Sequence, residues 1–176
     1  RESFESVIVM ILAFDTYYFE NKAKTICVEF CNWTDERYHE IYSETLENVE
    51  EYVSGEFYKR ELPCILSLLE KIDLTKVEAI IVDGYVYLDD EKKYGLGGYL
   101  YGKLGGGIPI IGVAKTNFAT IETNKKSVFR GESIKPLFIT AIGISIEEAV
   151  EKIKLMSGEF RMPTLLKEMD RLTKEI

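Results

Sequence analysis

Apolar and polar positions divide the first two thirds of the chain into segments of strand and helix length. Val7 to Tyr17 and Lys24 to Trp33 read as two strands, and the short polar link at Glu20 to Lys22 implies that they pair antiparallel. A third short strand is expected near Tyr38 to Thr45. Pro63 falls where a first helical turn tolerates it, and Ile65, Leu68, Leu69 and Ile72 recur at helical spacing, predicting a helix of about ten residues. Glu78 to Asp83 reads as a fourth strand, the region from Tyr94 to Leu104 as a helix, and Ile108 to Val113 as a fifth strand. The unbroken apolar character of that fifth strand suits a parallel strand covered on both faces. Lys135 to Ile142 reads as a further strand. Ser145 with Glu148 makes a capping box, the helix that follows runs through Ile153, Gly158 can end it, and Thr164 is placed to cap a last helix. Three antiparallel strands followed by strand, helix, strand and helix predict an α/β fold: a mixed sheet of ribonuclease H-like order with helices on both faces.

Composition sets the scale. With 176 residues and 46% hydrophobic content, the chain suits one domain over 1–176, large enough to bury roughly 70% of the surface of its unfolded form. Val7 to Phe14 is far shorter than the ~20 residues of a membrane span, so no membrane partner and a cytoplasmic location are expected. Cys27, Cys31 and Cys64 have neither the number nor the spacing of a disulfide framework or zinc knuckle and read as buried thiols. The net charge of −8 argues against nucleic acid until its distribution is considered. From Lys92 to Lys135 there are eight basic and two acidic residues, which leaves 22 − 8 = 14 basic and 30 − 2 = 28 acidic elsewhere. That lopsidedness is equally compatible with a phosphate-facing surface and with a solvated lysine-rich face.

The candidate chemistry lies in three acids where apolar segments run out: Asp15 after Val7 to Phe14, Glu61 at the end of the 52–61 stretch, and Asp83 after Ala79 to Val82. Carboxylates are hard oxygen ligands, and three that converge on one point suit Mg²⁺ or Mn²⁺ beside a phosphodiester. A lone strand-end aspartate is more often a turn or cap residue, so the case rests on the three together. Seven of the thirteen glycines cluster between Gly95 and Gly107, without the Lys and Ser or Thr that would make a phosphate-binding P-loop.

Several segments together resemble the endonuclease V family of repair nucleases, which act at deaminated adenine. They are Val82-Asp83-Gly84, then Gly95-Leu96-Gly97-Gly98, then Ile108-Pro109-Ile110-Ile111-Gly112-Val113-Ala114-Lys115. Tyr52, Gly55, Arg60 and Glu61 keep the family spacing. So do Pro136-Leu137-Phe138-Ile139, and Arg161, Pro163 and Asp170 near the end. The resemblance implies that Asp15 and Asp83 ligate the metal and Glu61 binds it or its water. It also implies that Lys115 serves a phosphate oxygen or the leaving group, that Tyr52 wedges where a base is displaced, and that Gly55, Gly84 and Gly95 line the base pocket. The implied partner is inosine-containing DNA or RNA.

The chain departs from the pattern as well. Where the family has a histidine six residues after the Asp of Asp-Gly, this chain has Asp89, or Asp90 if the insertion lies earlier. A second family histidine, on the late strand, is missing where the chain reads Thr140-Ala141-Ile142-Gly143, and His39 is the only histidine. Asp89 could partly substitute as an oxygen ligand, while Asp89, Asp90 and Glu91 read most simply as an exposed acidic turn. The wedge segment Glu51-Tyr52-Val53-Ser54 lacks the family's prolines. Three readings follow: a metal-dependent endonuclease cleaving 3′ to inosine or deoxyinosine, a catalytically impaired homologue that binds nucleic acid, and a small-molecule-binding domain.

Overall fold

The first pairing is set by Glu20 and Asn21, which both hold positive φ (48° and 64°), the conformation that a two-residue type I′ hairpin needs. They join β1 (Met10–Phe19) to β2 (Lys22–Phe30), with Phe19 opposite Lys22. The structure is a computed structural model and describes residues 9–47, 49 and 56–175. β3 (Glu40–Glu47) pairs antiparallel with β2. β4 (Val77–Asp83) runs parallel to β1 on its other side, and β5 (Ile110–Ala114) runs parallel to β4. β6 (Lys126–Val128) and β7 (Leu137–Ile142) complete a seven-stranded sheet in the order β3-β2-β1-β4-β5-β7-β6, with β7 antiparallel to both β5 and β6.

The strands bury both faces because alternate side chains point to opposite sides. Leu12, Phe14, Ile80 and Val82 pack in one layer with Ile65 and Leu68 of α1 (Phe57–Leu69) and Leu96 and Leu100 of α2 (Leu96–Lys103). Ile11, Ala13, Ala79 and Ile81 pack in the other layer. Their partners there are Ala149 and Ile153 of α3 (Ile146–Leu155) and Leu165, Leu166 and Met169 of α4 (Thr164–Thr173). The mixed sheet with helices on both faces is thus the architecture that the element order predicts. Among the described residues no helix is long and apolar enough to cross a membrane. Cys27, Cys31 and Cys64 are free thiols, and all but Cys31 are buried.

Several local expectations are corrected. α1 begins at Phe57, so Pro63 lies inside it and Glu61 sits on a helix, not at a strand end. Apolar burial of Ile65, Leu68 and Leu69 outweighs the one backbone hydrogen bond that an interior proline removes. Asp15 lies inside β1, because the hairpin to β2 carries that strand on to Phe19. Thr164 is the first residue of α4, not its cap; Pro163 holds the cap position, and the Thr164 amide donates to the Ser157 carbonyl at 2.8 Å. α3 ends at Leu155 with Met156 already extended, so Gly158 does not end it. Gly158 instead has φ of 123° where a Cβ would meet Thr164 Oγ1 at 2.6 Å. The Ser145 cap is as expected, its hydroxyl accepting from the Glu148 amide at 3.1 Å. The three-residue β6 leaves no trace in the sequence pattern, being too short and polar to show a period.

A buried arginine ties two connections at the end of the sheet where β5 runs out. Arg130 donates to the carbonyls of Met156 (2.5 Å), Gly158 (3.3 Å), Phe160 (2.8 Å) and Arg161 (3.4 Å), holding the α3–α4 loop against the β6–β7 loop. Arg130→Ala leaves those acceptors without the donor and is expected to lower stability by roughly 3 kcal/mol, read as a fall in the denaturant midpoint at unchanged slope. An unchanged midpoint contradicts this role.

Candidate active site

Three neighbouring strands follow one rule: two apolar residues facing the α4 layer, then a charge. On β1 the series is Ile11, Ala13, Asp15; on β4 it is Ala79, Ile81, Asp83; past β5 it is Ile111, Val113, Lys115. The parallel register sets Ala13 beside Ile81 and Phe14 beside Val82, and Asp83 beside Val113. Asp15 and Asp83 therefore emerge side by side where the β1–β4 pairing stops, and Lys115 emerges one strand over. With Asp170 of α4 they line a narrow void of about 20 Å³ closed by Met162, Leu166 and Met169, room for one water-sized sphere.

Electrostatics distinguish the acids. Asp15 is only 6% exposed; burial first, and then the adjacent Asp83 carboxylate, push its pKa up to about 8, and it hydrogen-bonds to Asp83. Asp83 is exposed at the mouth. Desolvation by the protein atoms around its carboxylate still raises its pKa, against the lowering effects of the Asp15 hydrogen bond and Lys115. Glu61 arrives from the other layer. It lies on the α1 face that carries Ile65 and Leu68, at i, i+4 and i+7, and is 2% exposed. Burial, then Asp83 and Asp15, raise its pKa well above the usual carboxylate range, while the Thr16 hydroxyl bonds to it.

The structure thus joins Asp15, Asp83 and Lys115 directly, and Glu61 is coupled to the pair through its charge without lining the same void. Among the described residues no group of three or more His, Cys, Asp or Glu side chains is arranged to hold a metal ion. The chemistry of the donor set nonetheless fits a hard divalent cation: oxygen donors only, crowded like charges, and a space the size of one ion. Asp170 is the participant to which sequence reasoning gave no role, although its spacing from Arg161 and Pro163 keeps the family pattern. It also forms an ion pair with Lys174 at 3.2 Å.

Beside this void lies an open recess of about 600 Å³ that includes Asp83, Gly84, Gly95 and Lys115 in its walls, along with Tyr58, Tyr85 and Phe118. Gly84 holds φ of 137°, and a Cβ on Gly95 would meet the Tyr85 carbonyl at 2.6 Å. Amides of Gly95, Gly97 and Gly98 bond to the carbonyls of Tyr85 and Val86, so this glycine cluster serves close packing of α2 against the 85–86 segment. The Tyr85 hydroxyl donates to the Thr116 carbonyl at 2.6 Å and accepts from the Phe118 amide at 3.1 Å, bolting the 116–118 segment along the rim. Arg161 donates to the carbonyls of Lys115 and Pro136 and so holds the backbone from which the Lys115 side chain springs.

The residues at the missing histidine positions have structural tasks. Asp89 accepts from the amides of Glu91 (3.0 Å) and Lys93 (2.9 Å), and Asp90 from those of Glu122 and Thr123 (both 2.9 Å) and Asn124 (3.3 Å). The acidic turn is the better description of both. Thr140 is fully buried, its hydroxyl accepting from the Val86 amide at 2.8 Å. His39 is exposed immediately before β3. Tyr52 and Gly55 lie outside the described residues.

The model of the endonuclease V family matches residues 1–132, and none of the curated proteins matches the sequence. Solved structures align along nearly the whole chain. Endonuclease V of Streptomyces avermitilis is 19% identical with a TM-score of 0.73, covering 96% of this chain and 81% of that one. The catalytic domain of human endonuclease V is 20% identical with a TM-score of 0.73, covering 96% and 82%. Endonuclease V of Ciona intestinalis, in complex with a 24mer DNA containing an inosine followed by a ribo-adenosine, is 17% identical with a TM-score of 0.79, covering 94% and 84%. At these identities the likeness is one of fold, and that fold is ribonuclease H-like.

The raised acid pKa has a definite sign. Asp15 binds its proton more tightly folded than unfolded, so its share of stability is full below about pH 4 and is lost as the pH rises to about 8. Asp83, Glu61 and Asp170 oppose its ionisation, and Lys115 and Lys174 act through Asp83. In chelator, the wild-type melting temperature relative to Asp83→Asn is expected to fall between pH 5 and pH 8. Mg²⁺ or Mn²⁺ should recover the wild type and not the variant. Parallel pH curves for the two proteins would contradict this.

Proposed function

Since the chain belongs to the endonuclease V family of nucleases, we propose that it is a metal-dependent endonuclease cleaving a phosphodiester 3′ to inosine or deoxyinosine in DNA or RNA. The observation that carries this reading is the Asp15–Asp83 pair, two crowded carboxylates beside Lys115 around a void of one-ion size. Asp15 and Asp83 would hold Mg²⁺ or Mn²⁺ at the void, with Glu61 serving the ion or its water from the α1 side and Asp170 adding negative charge. When bound, such an ion neutralises charge on the phosphate and acidifies water.

The chain's own residues account for the rest. Lys115, exposed at the strand end, brings a mobile positive charge to a phosphate oxygen or to the departing oxygen. Water adds to phosphorus as the bond to the 3′ oxygen breaks, and that oxygen takes up a proton, leaving 3′-hydroxyl and 5′-phosphate ends. The recess accepts the displaced base. Tyr58, Tyr85 and Phe118 offer aromatic walls, and Gly84 and Gly95 let main-chain groups approach the hypoxanthine edge. Extrusion costs a few kcal/mol of stacking, which Tyr52 would offset as a wedge, with Gly55 also at the pocket. The complex of the Ciona protein with inosine-containing DNA supports this choice of substrate.

A second reading is a homologue that binds nucleic acid and turns over poorly. It is favoured by the commitment of Asp89 and Asp90 to their turns, which keeps both from standing in for the absent histidines. One assay separates the two. Inosine-containing and control oligonucleotides, single-stranded and duplex, DNA and RNA, are incubated with Mg²⁺ or Mn²⁺. Site-selective cutting is expected, lowered by more than about 100-fold in Asp83→Ala and by about 100-fold in Lys115→Ala. Binding with no cutting beyond the Asp83→Ala level would establish the second reading.

A further inference from the structure

The recess beside the ion-sized void holds one polar side chain whose orientation is set by its neighbours and whose hydrogen-bonding capacity is only half used. Of the side chains in the wall, Asp83 and Lys115 belong to the cleavage site, and the Tyr85 hydroxyl already donates to the Thr116 carbonyl and accepts from the Phe118 amide. Between those two bonds stands Asn117, exposed in the same wall. Tyr85 thus holds the backbone on either side of it.

The Asn117 carboxamide is held as well. Lys125 Nζ donates to Asn117 Oδ1 and, at 3.3 Å, to the Phe118 carbonyl, and it lies 5.4 Å from the Phe138 ring centroid. Phe138 pairs with Ala114, the last residue of β5, so the lysine is anchored against the sheet. Among the described residues it has no carboxylate partner to draw it away. An ammonium has donors only, so the end of the amide that meets it is the oxygen. The nitrogen is the end left for a ligand, and among the described residues Asn117 Nδ2 has no hydrogen-bond partner.

That free end specifies a base edge. A carboxamide with both ends free pairs with adenine, its oxygen taking the 6-amino group and its nitrogen bonding to N7. Asn117 presents the nitrogen, which suits an edge with two acceptors side by side, the O6 and N7 of a 6-oxopurine. Adenine would set its amino donors against those of Nδ2, and donors held against each other lose the bonds each made to water. Hypoxanthine and guanine share the two acceptors, so this contact separates 6-oxopurines from adenine and not from one another.

We propose that Asn117 is a specificity-determining residue of the recess, its Nδ2 donating to the O6 of a 6-oxopurine, and that Lys125 is a positioning residue that keeps the amide turned that way. This rests on the nuclease reading above and adds a side-chain contact to the main-chain approach at Gly84 and Gly95. The test measures affinity of the full chain, with Mg²⁺ present, for single strands carrying one inosine, one adenosine or one purine riboside, which is inosine without its 6-oxygen. Methylenephosphonate linkages 3′ to that base keep the strands from being cut. Asn117→Ala is expected to bind the inosine strand about fivefold more weakly than the parent and the purine-riboside strand equally well. Lys125→Met, which frees the amide to turn over, is expected to lower the preference for inosine over adenosine by about fivefold. Equal losses on the inosine and purine-riboside strands in Asn117→Ala, or no loss on either, overturn the contact while leaving the nuclease reading intact. An unchanged preference in Lys125→Met overturns the positioning role. A parent protein that binds none of the strands, or all three alike, sinks the reading of an inosine-directed nuclease, and this inference with it.

Discussion

The parallel pairing of β1 with β4 sets two like charges side by side, Asp15 buried and Asp83 at the mouth of the site. Its register lays Ala13 beside Ile81 and Phe14 beside Val82 and then stops, so Asp15 and Asp83 leave the sheet together on the α4 side. A slip of one residue would turn Asp15 toward the α1 layer and Ala13 or Phe14 toward the wrong core. The apolar residues that fix the register therefore also fix the carboxylates. Burial of those apolar residues sustains an arrangement that is unfavourable in itself, and a site held under electrostatic tension gains most from a cation.

The surrounding parts act on that pair or on the lysine beside it. Glu61 adds a third negative charge from the opposite layer, carried in by the apolar face of α1. Arg161 anchors the backbone of Lys115, and Arg130 anchors the loop that carries Arg161. Gly112 has no Cβ to collide with the Gly84 carbonyl or the Thr140 hydroxyl, each 2.5 Å from where one would sit. That close approach lets the 84–86 segment fold down over the sheet and shape the recess. Loop, strand and helix contributions thus meet at one edge, the usual place for a site on an α/β sheet whose parallel strands end together.

Much of this was legible in the sequence because periodic burial leaves a periodic trace. The runs ending at Asp15 and Asp83, the Ile108 to Lys115 segment and the Ser145 cap all give local signals, and the motifs around Asp83 and Lys115 indicated the family. What local patterns hide is how α1 starts: a proline at 63 suggests a first turn, while the contacts that hold the turn before it come from Tyr99 of α2 and Tyr18 of β1, far away in sequence. Nor does Glu61 reveal in sequence that it is buried in a different layer from the aspartates. The structural tasks of Asp89 and Asp90 depend on amides at 91–93 and 122–124, partners that no spacing rule identifies. Asp170 and Arg161 matched a family spacing, but their positions at the void and behind Lys115 follow only from how α4 docks.

The most direct measurement is a crystal structure of the protein soaked in Mn²⁺, with the metal located by anomalous scattering. The account predicts a peak between Asp15 and Asp83, within about 2.0–2.6 Å of an oxygen from each. A peak bound elsewhere, or none at that place under saturating Mn²⁺, would contradict it.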